Sequence, residues 1–188
     1  MIDSAMEIWT ALKDTIRGAN LLKYRGYLLG RLGRFAEAKA DIDSAIYLFR
    51  KKEYEMGVMV SEFDLSKMYE SQFKLDSALK YATLTFSYWK VKRDTSRIIV
   101  SVNQLINLYL KMKQFEAALD IQRESTQLLE KRDLHPLQLM DFYFLSIQLF
   151  KKANYLKKVR HYQQIFDEQE KHLKAENKMP ELGYSVYK

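Results

Sequence analysis

The feature that most constrains the fold of this chain is an internal repeat of 40 residues. A shift of 40 places residues 33–38 (GRFAEA) on residues 73–78 (FKLDSA) and on residues 113–118 (KQFEAA). Large apolar or aromatic residues recur at the third position of this segment, as Phe35, Leu75, Phe115 and, in a fourth copy, Tyr155. Three residues later the copies have Ala38, Ala78, Ala118 and, in the divergent fourth copy, Lys158. Such a period predicts a repeat protein, whose units stack because one unit cannot bury its own apolar face.

The repeat extends to the first residues of the chain. Residues 2–5 (IDSA) are identical to residues 42–45 at the same shift. Residues 1–17 are therefore predicted to be the second helix of a unit whose first helix is missing, which indicates a chain cut from a longer array. The alternative is that a lone helix caps the array at this end.

Each unit contains two amphipathic segments. In the first complete unit one segment carries Leu22, Leu28, Leu29 and Leu32, and the other carries Ala38, Ile42, Ala45, Ile46 and Phe49. These spacings predict two helices, because apolar residues three or four apart lie on one helix face. Gly33 marks the turn between them. The small residues at 38, 78 and 118 are expected to let the paired helices approach closely.

On these residues the sequence resembles the tetratricopeptide repeats. The matching residues are Gly26, Leu29, Gly33, Phe35, Ala38, Ala45 and Leu48 in the first complete unit, Leu65, Ser66, Tyr69, Leu75, Ala78 and Phe86 in the second, Leu105, Tyr109, Phe115 and Ala118 in the third, and Leu145, Ser146, Tyr155 and Ile165 in the fourth. Two departures matter. The unit has 40 residues where the family has about 34, and the Pro that often closes a repeat is absent. Longer units of this kind look like those of bacterial peptide-sensing regulators and of adaptor proteins.

The resemblance implies an all-α fold, a right-handed superhelical solenoid of antiparallel helix pairs that forms one domain. Its expected parts are the truncated helix at 1–17, repeats at 18–57, 58–97, 98–137 and 138–177, and a tail at 178–188. From Leu156 to Leu173 the apolar residues keep to one stripe, which predicts a long capping helix within the fourth repeat.

Composition excludes several classes of protein. A hydrophobic fraction of 47% with 29% charged residues and a net charge of +7 describes a folded chain rather than a disordered one. The longest apolar stretch, residues 139–150, is interrupted by polar residues, so we expect no membrane span. The first residues lack the basic and apolar segments of a signal peptide, which favours a cytoplasmic location. The absence of Cys excludes disulfides and thiolate chemistry.

Nothing in the sequence indicates catalysis. It has no glycine-rich phosphate loop, and its three histidines, His135, His161 and His172, have no catalytic partners nearby in sequence. Glu168 and His172 are four apart on one helix, but two ligands do not make a metal site. We therefore expect a non-enzymatic protein without a small-molecule substrate, cofactor or metal.

The resemblance also implies a binding surface, because the first helices of such repeats line a concave groove that holds peptides or partner helices. The repeat register places four pairs there: Lys23 and Tyr27, Phe63 and Lys67, Asn103 and Asn107, and Tyr143 and Ile147. The two Asn are suited to pairing with the backbone of an extended peptide, the aromatics to supplying apolar area, and the two Lys to an acidic partner. Ordinary helix packing for the aromatics, and an exposed polar face without a ligand for the Asn, stay open.

Positive charge gathers at the C-terminal end, in Lys151, Lys152, Lys157, Lys158, Arg160 and His161. Because Asp167, Glu168 and Glu170 follow, we interpret this segment as the charged outer face of the capping helix and consider nucleic-acid binding the weaker alternative. The sequence thus predicts a module that binds a protein or an extended peptide, as the sensory or scaffolding part of a larger signalling or regulatory protein. Self-association as a homodimer is the structural alternative.

Overall fold

The computed structural model describes residues 15–129, 134 and 136–175. Within these ranges every regular element is an α-helix and no strand is present. The helices are α1 (Thr15–Arg31), α2 (Phe35–Lys51), α3 (Glu55–Ser71), α4 (Leu75–Lys92), α5 (Thr95–Lys111), α6 (Phe115–Leu129), α7 (Pro136–Lys152) and α8 (Leu156–Ala175). The predicted all-α class and the two helices per unit are confirmed. No helix in the described ranges combines the length and hydropathy that crossing a membrane requires.

Neighbouring helices pack in pairs within two compact units, Met1–Tyr88 and Trp89–Lys188, whose division falls inside α4. In the first unit α1 packs against α2 and α3, and α2 packs against α3. In the second unit α5 packs against α6 and α7, and α7 packs against α8. The first helix of a pair therefore contacts both its partner and the first helix of the next pair, which is the packing of an α-helical solenoid.

Every described turn between consecutive helices closes in the same way. The first residue after the turn's left-handed position donates its N–H to a carbonyl five residues back, as Arg34 does to Leu29 at 2.9 Å. The left-handed residue itself donates to a carbonyl three residues back, as Gly33 does to Gly30 at 3.1 Å. The left-handed residues are Gly33, Glu53, Phe73, Arg93, Lys113 and Asn154. These are Schellman motifs, which satisfy the last carbonyls of each helix and reverse the chain.

Small residues let the paired helices approach, as the repeat predicts. Ala38, Ala78 and Ala118 are completely buried. At Gly26 a Cβ atom would lie 2.9 Å from the carbonyl oxygen of Ala38, so the backbones of α1 and α2 meet here. In the next pair the Ser66 hydroxyl donates to the Ala78 carbonyl at 2.8 Å.

The fourth pair is offset by one residue from a uniform period. Helix α5 begins 40 residues after α3, but α7 begins 41 residues after α5. The position of Ala118, whose N–H bonds to Gln114 at 3.1 Å, is therefore taken by Val159, whose N–H bonds to Tyr155 at 3.0 Å. The assignment of Lys158 to this position was wrong. Its side chain is exposed instead, with Nζ 4.9 Å from the centre of the Phe150 ring.

Each unit has its own apolar core. In the first unit Leu22, Ile42, Phe49 and Leu65 are among the buried side chains. In the second unit Ile99, Leu105, Leu149 and Phe150 are fully buried. The predicted long helix at the C-terminal end is present as α8, and Pro136 begins α7, as its fixed φ angle favours. The predicted helix at 1–17 and the tail at 178–188 lie wholly or mostly outside the described residues.

Candidate partner-binding faces

In the first unit, the predicted binding residues lie on α1 and α3, two helices in contact. Tyr27 is 39% exposed, Lys67 is exposed, and Lys23 and Phe63 are half-buried. The Tyr27 hydroxyl accepts a hydrogen bond from Arg31 at 3.1 Å, and its ring stacks on Tyr24 with centroids 6.5 Å apart. The Tyr24 and Tyr27 rings therefore form an aromatic surface, and these contacts already restrict the position of the Tyr27 side chain.

Lys23 and Lys67 alone suggest a positively charged face, but acidic side chains lie close to both. The Lys67 ammonium forms an ion pair with the buried Glu70 at 3.2 Å. Beside Phe63, burial raises the pKa of the Asp64 carboxyl to about 6, while the nearby positive charge of Lys23 opposes that rise. Each lysine thus has an acidic neighbour, so the face is not a simple cationic one.

In the second unit, Asn103 and Asn107 lie one turn apart on α5 and are both half-buried. The Asn103 carbonyl oxygen Oδ1 is enclosed, and no donor within the described residues reaches it. An amide oxygen without a donor is uncommon in a folded protein, because it loses its hydrogen bonds to water without replacement. The packing around Asn103 therefore removes this oxygen from water without supplying a donor from the described residues in its place.

The predicted pair on α7 is displaced by the same one-residue offset that affects Val159. The structural counterparts of Asn103 and Asn107 are Phe144 and Gln148, both half-buried. The equivalence that selected Tyr143 and Ile147 was wrong, and Ile147 is only 3% exposed. Tyr143 is half-buried and packs edge-on against Tyr162 at 6.1 Å. This burial, together with Tyr162, raises the pKa of Tyr143.

Two acidic residues on α3 were missed by the sequence analysis. Glu62 is 5% exposed; its Oε1 accepts from Arg50 at 3.3 Å, and its Oε2 has no partner among the described residues. Burial raises the pKa of this carboxyl, and the Arg50 charge opposes that effect. Comparison of equivalent positions in the repeat would have identified both residues, because each is an acid where the other units have none. The corresponding residues at shifts of 40 are apolar for Glu62 (Leu22, Val102, Phe142) and uncharged for Asp64 (Tyr24, Gln104, Phe144).

The basic residues of the C-terminal end are exposed on α7 and α8. Along α8 the amide of Gln163 donates to Asp167 at 2.9 Å, and Gln164 donates to Glu168 at 2.9 Å. The positive charges are thus interleaved with acidic and amide groups on a wet helix face. Within the described residues no group of three or more His, Cys, Asp or Glu is placed to hold a metal ion.

The fold is similar to that of a solved structure. The crystal structure of BtubC (BKLC) from P. vanneervenii matches with a TM-score of 0.71 and 15% sequence identity, over 90% of this chain and 68% of that chain. No protein-family model matches the sequence, and no curated protein matches it. At this identity the likeness concerns the fold, a helical repeat.

Proposed function

We propose that this chain is a non-enzymatic helical-repeat module of the tetratricopeptide type that binds an extended peptide or a partner protein through the first helices of its pairs. The observation that supports this proposal most is that the six predicted side chains on α1, α3 and α5, and Tyr143 on α7, keep solvent-exposed surface, whereas Ile147 is buried. The alanines of the second helices at the close approach are by contrast completely buried. In a packed helical array, surface left on the first helices is available to a partner.

The residue types on these faces suit recognition of a peptide backbone with a few side-chain contacts. An Asn side chain can donate as well as accept hydrogen bonds, so Asn107 fits the N–H and C=O groups of an extended chain, whereas Asn103, whose Oδ1 is enclosed, is left with its amide N–H donors. Tyr27 and Phe63 add aromatic surface, which is enriched in protein interfaces. A place as the sensory or scaffolding part of a larger signalling or regulatory protein is the setting we propose for this activity.

The test is selection from a phage-displayed library of random linear peptides by the purified chain. The double variant Asn103→Ala, Asn107→Ala is selected in parallel, with its fold checked by circular dichroism. The matched control is Gln163→Ala, Gln164→Ala, which removes two amides from α8 in the same unit. We expect wild type and control to enrich a common peptide motif, and the Asn variant to lose at least about tenfold of that enrichment.

Enrichment of no peptide by the wild-type chain, or equal enrichment by the Asn variant, contradicts the proposal. If the wild-type chain also sediments as a dimer, self-association becomes the better account of the exposed faces.

A further inference from the structure

One face of α1 carries a contiguous aromatic and cationic cluster, formed by Tyr24, Tyr27 and Arg31. The Arg31 Nη1 donates to the Tyr27 hydroxyl at 3.1 Å, and the Tyr27 ring stacks on Tyr24 with centroids 6.5 Å apart. Tyr24 is 57% exposed, Tyr27 is 39% exposed, and Arg31 is exposed as well. The three side chains are therefore joined by direct contacts and are still accessible from solvent.

The hydrogen bond between Arg31 and Tyr27 leaves donors on both side chains. A guanidinium has five N–H donors in a planar fork, and a phenol that accepts a hydrogen bond still has its own O–H to donate. The contact at 3.1 Å places the Tyr27 O–H beside the other N–H groups of Arg31. A carboxylate fits such a pair, because its oxygens accept from both donors and its charge complements that of the guanidinium.

The charge of α1 also favours an anionic partner. The helix has no acidic residue and four basic ones, Arg17, Lys23, Arg25 and Arg31. Arg25 forms an ion pair with Asp41 on α2, whereas the hydrogen bond of Arg31 goes to a neutral phenol. That hydrogen bond does not offset the charge of Arg31, so the exposed face of α1 has a positive charge beside its aromatic surface.

The stacking of the repeat does not account for the cluster. The pairs that correspond to Tyr27 and Arg31 are Lys67 and Ser71, Asn107 and Lys111, and, with the extra residue before α7 counted, Gln148 and Lys152. None of these pairs combines a tyrosine with an arginine, so packing of a first helix does not require them. Tyrosine and arginine are, by contrast, the residue types enriched among the side chains that contribute most to binding at interfaces.

We infer that Arg31 and Tyr27, with the ring of Tyr24 beside them, form a subsite for one glutamate or aspartate side chain of the peptide that the first unit binds. This inference rests on the proposed function and adds a chemical class to it. It also assigns the acidic preference to Arg31 rather than to Lys67, which is paired with Glu70. A second copy of this chain is the other occupant that the test below distinguishes.

The first experiment is the same library selection with the variants Arg31→Gln and Arg123→Gln. Arg123 is an exposed arginine on α6 that pairs with Asp120, so its substitution makes the same change in net charge away from the subsite. We expect wild type and Arg123→Gln to enrich peptides with Glu or Asp at one fixed position. With Arg31→Gln, the enrichment of that acidic position is expected to fall about tenfold while the rest of the motif persists.

The second experiment is a double-mutant cycle with one enriched peptide. The peptide and a version with its acidic residue replaced by the corresponding amide are titrated by fluorescence anisotropy against wild type, Arg31→Gln and Tyr27→Phe, each checked by circular dichroism. The amide is expected to weaken binding to wild type about tenfold and to Arg31→Gln less than about twofold. Tyr27→Phe keeps the ring and removes the hydroxyl, so we expect it to weaken binding of the acidic peptide about threefold.

The outcomes separate the two proposals. Peptides enriched without a fixed acidic residue, or an amide replacement that weakens binding equally in wild type and Arg31→Gln, overturn the subsite and leave the binding function standing. Enrichment of no peptide by the wild-type chain overturns both. Self-association of the wild-type chain that Arg31→Gln abolishes, seen by sedimentation, also overturns the peptide subsite, because the carboxylate then belongs to a second copy.

Discussion

Arg25 and Asp41 form a two-pronged ion pair that joins α1 to α2: Nε lies 2.6 Å from Oδ2, and Nη2 lies 2.7 Å from Oδ1. Asp41 is 7% exposed, so its carboxylate is stabilised mainly by Arg25 and little by water. We expect Arg25→Ala to lower the free energy of unfolding by about 1–3 kcal/mol, because it leaves a buried carboxylate unpaired. Urea denaturation followed by circular dichroism measures the loss.

The chain contains a matched control for this prediction. Arg34 and Glu37 make the same two-pronged pair at 2.7 and 2.5 Å, but both side chains are more than half exposed. Arg34→Ala is expected to leave the denaturation midpoint almost unchanged, since water replaces an exposed pair at little cost. Equal losses from the two variants would show that burial is not what gives the Arg25–Asp41 pair its strength.

A second prediction concerns pH and Asp64. Its pKa in the folded chain is about 6, above the ordinary 3.8, so the folded state binds this proton more tightly than the unfolded state does. Well below pH 3.8 Asp64 is protonated in both states and its ionisation does not affect the free energy of unfolding. The destabilisation caused by its charge develops as the pH rises and reaches its full value above about pH 6. Asp64→Asn is expected to raise the free energy of unfolding by up to about 3 kcal/mol at pH 7.5 and by little at pH 4.

Chemical denaturation at several pH values measures this difference. Asp120→Asn, which removes an exposed acid paired with Arg123, serves as the control and is expected to give a small effect at every pH. A gain from Asp64→Asn that is the same at pH 4 and pH 7.5 would contradict ionisation as its cause.

A third prediction compares two glycines on α1. A Cβ at Gly26 would lie 2.7 Å from Ile42 Cγ1 and 2.9 Å from the Ala38 carbonyl oxygen, whereas at Gly30 the nearest atoms are 3.7 Å away. Gly26→Ala is expected to destabilise the chain by about 1–3 kcal/mol through overpacking. Gly30→Ala is expected to stabilise it by up to about 1 kcal/mol, because Ala favours a helix more than Gly does. Thermal unfolding of both variants tests the opposite signs.

A fourth prediction concerns the turn between α3 and α4. Phe73 has a φ of 57° and is 82% exposed, so it combines a strained backbone with an apolar side chain in water. Phe73→Gly is expected to stabilise the chain by up to about 1 kcal/mol, because Gly adopts left-handed φ angles without strain. Gly33→Ala makes the reverse change, with no atom within 4 Å of the added Cβ, and is expected to destabilise through backbone strain alone. A loss of stability in Phe73→Gly would mean that the exposed ring contributes a contact that outweighs the strain.

The sequence predicted the repeat-level features of this fold because they follow from short-range periodicity. Helical pairs, the buried alanines at 38, 78 and 118, and the long last helix are all visible as spacings of apolar residues. The register of the last pair was not predicted correctly. A uniform shift of 40 assigned Lys158 and Tyr143 where the structure has Val159 and Phe144, because one additional residue between the start of α6 and the start of α7 leaves no mark in composition.

The candidate site was predictable only in part. Periodicity predicts which helix face a residue occupies, and the groove positions that the family resemblance implies then selected Lys23, Tyr27, Phe63 and Lys67. It does not predict which charges will meet across two helices. The pairing of Lys67 with Glu70 and the burial of Asp64 near Lys23 depend on side-chain positions that only the packed helices define.

The six identical turns have a consequence for how such a chain changes over evolutionary time. Each of the six described turns is closed by hydrogen bonds between residues no more than five positions apart, so none of these junctions depends on a particular distant sequence. Unequal recombination between two similar segments of a gene can therefore delete or duplicate a helix pair and leave the remaining junctions of this kind intact. The number of pairs, and with it the number of side-chain positions offered to a partner, can change in a single genetic event, whereas the identity of each position changes one substitution at a time.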